Sequence, residues 1–459
     1  MPCGPGSGCR CSGAGACGRC WAGSSAWFCR GTTGARIFES FMGEATIPGV
    51  PMPLPVTVSE SQLAEAAARP LPEIGTTARV LLACARETLS ADQAEHIRAL
   101  CAQVQDWERF IQQAEFRMIV PLVHRHLRAL PDGSVPADVL DQLKARTRRA
   151  AMQNLAMIAV HHRLVRDVLE PLGVPYLFFK GPSLAYRYYR DPGLRQFRDI
   201  DLLIPRQFMV KVGQRVREVG FRSHKHPAWS TDDGLRFLQR FVGMMDWVSP
   251  EGVLVEMPSS LDGDWDRLPT DEMIAQAESV DIGGLRVPVP PDADFLCYLC
   301  KHHSRHHWAR LHWIADLNAI LAHPEFDLDA VRQRARQRGF ERTVEAALAL
   351  QRAAAAPEPW RANFSDPFAH ELFRHCLLNL EGDFEQELAL RESFPATSID
   401  IDVSRRRRRH RLTRNLHRFK PRSEDFIQRP LPARWHSLYY ILRPFLFMSR
   451  RPDVSVGPD

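Results

Sequence analysis

The sequence contains no run of about 18 uncharged apolar residues, the length a bilayer-crossing helix needs, so no spanning helix is expected. The nearest approach, Leu438–Met448, is short and carries Arg443 and Pro444. The N-terminus lacks the apolar stretch of a secretion signal. Only five of the 11 cysteines lie beyond residue 30. They are scattered, as in a reducing compartment, and a cytoplasmic location is the expectation. Acids are almost missing near the C-terminus. From Ser404 to Arg451 there are two Asp/Glu against 15 Lys/Arg, a local balance of +13. The whole chain has a formal charge of +6, so the remainder stands at −7. A mildly acidic body thus carries a basic segment, able to meet the phosphates of RNA, a nucleotide-linked substrate or a lipid surface.

What is present is ordinary globular material. The 459 residues are 45% hydrophobic and 25% charged, which excludes disorder of the whole chain and fits about two to three domains. Six cysteines crowd into the first 30 residues, spaced by Gly, Ser and Ala, with no framing core for a zinc or disulfide knot. Residues 1–60 therefore read as a disordered leader, with Met42 as an alternative start.

From Ser59 to Leu130 apolar residues recur at helical spacing, and a long helical run follows from Ala137 to Leu169. The texture then changes. Val174–Phe179 is strand-like, and Gly181-Pro182-Ser183 opens a helix through Tyr189. Arg198–Ile204 reads as a buried strand with two acids in it, and Pro205–Val219 as a helix. Phe241–Val248 and Gly252–Met257 read as a hairpin. Phe295–Leu321 has neither Gly nor Pro and is expected to be one helix, with further helices to Leu378.

Chemistry concentrates at Lys180-Gly181-Pro182-Ser183 and Asp199-Ile200-Asp201. Alternate side chains of a strand share a face, so Asp199 and Asp201 point the same way. Two acids among apolar neighbours are costly unless a cation joins them. Magnesium takes oxygen ligands between carboxylates and phosphates, and a Gly-led helix start offers free N–H groups to an anion. Glu256, an acid in the apolar strand Val253–Met257, is the expected third carboxylate, with Asp246 the second choice. Together these point to metal-assisted phosphoryl or nucleotidyl transfer. Lys180 reads as a phosphate contact, and Arg195 and Arg198 as phosphate-neutralising or aspartate-balancing residues. On a continuous helix of about 100° per residue, His302, His306, Trp313 and Asp316 share one side. That side reads equally as a site wall or a packing face. Cys297-x-x-Cys300 with His303 and His307 has the residue types of a zinc site but no second ligand pair.

The segment Leu177–Pro205 resembles the core motif of the uncharacterised bacterial nucleotidyltransferase family of the polymerase-β-like superfamily. Lys180, Gly181, Arg195, Asp199, Ile200 and Asp201 carry the resemblance. Trp107–Leu130, Val255–Leu261, Tyr298–Asp316 and Asp425–Pro444 extend it over roughly residues 76–448. Two departures stand out: Ser183 lies one residue further on than in the superfamily's Gly-Ser, and Pro258-Ser259 replaces His-Trp.

The resemblance implies an α+β fold, with a small mixed-sheet nucleotidyltransferase core embedded between helical domains. The expected parts are a leader (1–60), an N-terminal helical domain (61–171), the core (172–290), a C-terminal helical domain (291–403) and a basic, aromatic segment (404–459). The implied activity is Mg²⁺-dependent (or Mn²⁺-dependent) transfer of an NMP from an NTP such as ATP to an acceptor hydroxyl or phosphate, on a sugar phosphate, protein or RNA. Asp199, Asp201 and Glu256 would be catalytic and metal-holding. Lys180, Gly181, Ser183, Arg195 and Arg198 would bind nucleotide phosphates. Asp246, His302, His306 and Asp316 would support them. The alternatives are a degenerate nucleotide-binding regulator on the same scaffold and an RNA-modifying, toxin-like transferase.

Overall fold

The structure, a computed structural model, describes residues 60–261, 267–393 and 420–448. The expected leader and the run Arg405–Arg409 lie outside the described residues. Helices come first: α1 (Glu60–Ala67), α2 (Thr76–Ala83), α3 (Ala91–Cys101), α4 (Trp107–Phe116), α5 (Val120–Leu127) and α6 (Ala137–Leu164). Their starts follow local chemistry. Ser90 and Gln93 cap α3 reciprocally, and the Asp106 carboxylate accepts the Arg109 N–H at 2.8 Å at the head of α4. With no Gly or Pro inside it, α6 runs for 28 residues before a π-helical turn at Val165–Leu169.

The middle of the chain alternates β1 (Leu177–Phe178), α7 (Gly181–Tyr188), β2 (Asp199–Leu203), α8 (Met209–Glu218), β3 (Arg222–Ser223), α9 (Asp232–Phe237), β4 (Met244–Val248) and β5 (Leu254–Pro258). The strands form one sheet in the order β1-β2-β5-β4-β3. β2 and β5 are parallel and every other neighbour pair is antiparallel. The fold is α+β with a small mixed sheet. After α10 (Thr270–Ala275), a hairpin of β6 (Glu278–Ile282) and β7 (Leu285–Val289) turns at Gly283-Gly284, both at positive φ. A two-glycine turn between apolar runs signals such a hairpin, and the sequence expectations omitted it.

Helix returns with α11 (Asp292–Arg305), α12 (Leu311–Leu321), α13 (Leu328–Arg338), α14 (Glu341–Ala354), α15 (Pro367–Glu381) and α16 (Phe384–Ser393), and later α17 (Ser423–Gln428) and α18 (Tyr439–Met448). The single helix expected over Phe295–Leu321 is therefore two. His307 and Trp308 adopt positive φ (53° and 51°) at the break. Neither residue favours that region, so tertiary contacts hold it. Trp308 is buried and its indole N–H donates to Ser304 Oγ at 3.2 Å. Buried Arg117 donates to the Ala309 carbonyl at 2.8 Å and to those of Asn379 and Gly382.

Period-two alternation divides the sheet. Ile200, Leu202, Met245, Trp247, Val255 and Met257 join a cluster with Val212 and Val216 of α8 and Leu235 and Phe237 of α9. On the opposite side of β2, Leu203 joins a second cluster that contains helices from both flanks of the core, from Leu63 to Leu380. One ion pair links that helical mass to the sheet. The Arg195 guanidinium grips Asp316 of α12 with Nε–Oδ1 2.8 Å and Nη2–Oδ2 2.9 Å, and its third nitrogen donates to the Gly181 carbonyl at 3.2 Å. The Tyr189 hydroxyl donates to the same Asp316 at 2.8 Å.

Removing one partner of such a buried pair strands a charge. Asp316→Ala is expected to lower stability by about 3–5 kcal/mol in urea denaturation, and the double variant Arg195→Met/Asp316→Leu by clearly less.

Candidate active site

The sheet register assembles the acids. Asp201 of β2 stands beside Glu256 of β5, which stands beside Asp246 of β4. Asp199, two residues before Asp201, shares the face. Four carboxylates thus line three adjacent strands, on the side opposite Ile200, Val255 and Met257. Asp201 is 4% exposed. Burial first, then the charges of Asp199 and Asp201, push the Glu256 carboxyl up to about 9. It holds a proton at neutral pH.

Two lysines answer this charge. Lys180 Nζ lies 3.3 Å from Asp201 Oδ1 and also sits 5.7 Å from the centres of the Phe179 and Tyr298 rings. Lys225, which the sequence reading missed, pairs with Asp246. Only the pairing of β3 with β4 brings it there, and no sequence pattern announces it. Each aspartate keeps one buried oxygen, Oδ2 of Asp201 and Oδ1 of Asp246, with no hydrogen-bond partner among the described residues.

The helix start lies hard against the acids. Gly181 has φ +48°, and a Cβ there would come within 3.1 Å of the Asp199 carbonyl oxygen. Only glycine serves both the left-handed turn and the close approach. The Ser183 N–H donates to the Lys180 carbonyl at 3.0 Å, while its buried hydroxyl has no partner among the described residues.

The remaining candidates divide. Arg195 does not face a phosphate: all its nitrogens are taken by Asp316 and Gly181, so it fixes the turn from behind. Asp316 goes with it, bound by Arg195 and by the Tyr189 hydroxyl. Arg198 lies in the fields of Asp199, Glu115 and Arg310, and burial lowers its guanidinium to about 10. His302 and His306 are buried with ring centres 4.9 Å apart. The Tyr298 hydroxyl lies 3.5 Å from His302 Nδ1, so Lys180, Tyr298, His302 and His306 form a contiguous chain leading away from the acids. His303 stacks on Trp313 at 4.7 Å, and burial first, then His302, holds it well below the usual imidazole range.

No three His, Cys, Asp or Glu side chains among the described residues are gathered closely enough to hold one metal ion. For Cys297, Cys300, His303 and His307 this removes the zinc reading: both cysteines are packed in the helical core. For the acids it means a shared face and field rather than a closed cage. Their donor set still fits a hard divalent cation, being all oxygen, with unpartnered oxygens on Asp201 and Asp246 among the described residues. Two clefts, one lined by Arg79, His96 and Pro359 and the other by Asp106, Gln112 and Asp383, lie elsewhere and share no residue with this face.

No curated protein matches the chain. A family match covers residues 103–355. It takes in the sheet, the Gly181 turn, all four acids and the α11–α12 histidines, and stops short of the resemblance noted at Asp425–Pro444. The mixed sheet, the glycine turn beside paired aspartates and this match converge: the chain belongs to the family described as an uncharacterised nucleotidyltransferase, and is a transferase of that class.

Proposed function

We propose that the protein moves a nucleoside monophosphate from an NTP to an acceptor hydroxyl or phosphate, using Mg²⁺ or Mn²⁺ held between Asp199, Asp201 and the nucleotide phosphates, with Glu256 beside them. The observation that carries this is the in-register row Asp201–Glu256–Asp246 with Asp199 beside it, a charge density that the two lysines only partly offset. A bound divalent cation would supply Lewis-acid polarisation of the α-phosphate and neutralise the leaving pyrophosphate.

The chain's own groups do the rest. The Gly181 N–H and the Ser183 hydroxyl donate hydrogen bonds to phosphate oxygens, and Lys180 adds a point charge. Asp199 and Asp201 would hold that cation with their carboxylate oxygens. Glu256, once deprotonated, takes the proton of an acceptor hydroxyl at its carboxylate. The acceptor oxygen bonds to the α-phosphorus, the bond to the bridging oxygen breaks, and pyrophosphate leaves. Arg195 and Asp316 position the turn, and the histidines line its flank.

A second reading, a nucleotide-binding regulator without turnover, draws support from the Lys180–Asp201 pair and the open arrangement of the acids. Incubation with labelled NTPs and Mg²⁺ separates the two. Pyrophosphate release and label on an acceptor favour transfer, and saturable binding without either favours the regulator.

Asp199→Asn and Asp201→Asn should each cut transfer by about 100-fold or more while remaining folded. The comparison is a label-transfer assay beside a thermal scan.

Glu256 also predicts a pH dependence. Its carboxyl is raised from 4.5 in the unfolded chain to about 9 in the fold. Between those values the folded state binds one more proton, so stability is full below the lower value and falls as pH rises toward the upper one. Metal-free protein should melt progressively lower from pH 6 to 9, and Glu256→Gln should flatten that slope. A parent melting temperature that is level or rising over this range would contradict the assignment.

A further inference from the structure

Among the described residues seven large apolar side chains are exposed, and five of them fall between Trp435 and Phe445. Trp435 (49% exposed), Leu438 (38%), Ile441 (65%) and Phe445 (62%) follow three/four spacing along the 3-10 turn Ala433–Leu438 and α18. They make one stripe. The opposite side of the same segment is fastened to the protein. The Tyr439 ring lies 5.2 Å from that of Phe237, and its hydroxyl donates to the Arg429 carbonyl at 2.6 Å and accepts the Leu431 N–H at 2.9 Å. Buried Arg443 donates to Asp425 at 2.8 Å. The stripe is thus held outward by its own anchors.

Its surroundings are basic. Arg422, Arg429 and Arg434 are exposed, Arg434 lies over the Trp435 ring at 6.0 Å, and exposed Arg240 donates to Ser437 at 3.0 Å. Between 420 and 448 the acids are Glu424 and Asp425, the latter taken by Arg443, and from outside the segment Asp233 accepts the Ala433 N–H at 2.7 Å. An apolar stripe of Trp, Leu, Ile and Phe rimmed by arginines matches an interfacial helix on an anionic bilayer. A second copy of the chain would bring two positive rims together. At 10 residues, α18 is about 15 Å long, half a bilayer core, so it lies on a membrane rather than crossing it.

We propose that Trp435–Phe445 docks the protein on an anionic phospholipid surface, with Leu438, Ile441 and Phe445 entering the headgroup boundary and Arg429 and Arg434 meeting lipid phosphates. The proposal stands independently of the transfer chemistry. Full-length protein is tested by co-sedimentation with vesicles of phosphatidylcholine alone and of phosphatidylcholine mixed with phosphatidylglycerol. Binding to the anionic vesicles is expected, weaker at high salt. It should fall by about tenfold or more in Ile441→Ser/Phe445→Ser. Arg429→Gln/Arg434→Gln should lose the lipid preference. Trp435→Ser gives a milder change if the first pair proves poorly folded by circular dichroism. No sedimentation of the parent with anionic vesicles, or undiminished binding of the apolar variants, overturns the proposal. So does a dimer seen by light scattering that these variants abolish, which would assign the stripe to a second copy.

Discussion

Four carboxylates brought side by side on three strands repel one another, and much of the surrounding structure responds to that repulsion. Lys180 and Lys225 reach in from opposite edges of the sheet to Asp201 and Asp246. Glu256, between them in the row, makes no ion pair among the described residues and keeps a proton instead. A cation bound at such an acidic face would release the Glu256 proton and relieve the repulsion that the fold carries. The apolar back of the sheet keeps this front in register, because slipping a strand by one residue would bury the acids in the Ile200–Trp247 cluster.

The turn that faces the acids is held from behind by a different element. Arg195 belongs to the chain just before β2, yet its guanidinium bridges Gly181 to Asp316 of α12. The helical mass therefore sets where the helix start of α7 stands relative to β2. Arg117 does the same for the α11–α12 break, where it holds the Ala309 carbonyl. These buried arginines, each gripping groups of two or more elements, serve here as rigid spacers between layers.

The central motif was legible because its causes are local. Two-residue alternation puts Asp199 and Asp201 on one face, and a glycine between a strand and a helix marks a tight approach. The third acid was legible because a carboxylate in an apolar strand needs a reason. What the sequence hid depends on distant partners. Arg195 and Arg198 look alike in the chain, and only the position of Asp316 withdraws the first from the phosphate side. The break after Arg305 escaped notice because breaks are read from Gly and Pro, whereas here His307 and Trp308 are forced into left-handed backbone by burial. Lys225 owes its place to strand pairing alone. The Gly283-Gly284 hairpin was readable in principle, since the turn is written in the sequence.

The parallel pairing of β2 with β5 has a bearing on how the molecule comes into being. The two aspartates leave the ribosome before the strand that carries Glu256, and well before the helix that carries Asp316. Until those later stretches arrive, the earlier acids have neither their neighbour nor the brace that sets the glycine turn. A chain ended before α12 lacks Asp316, so the Arg195 guanidinium and the glycine turn it holds are left without their brace.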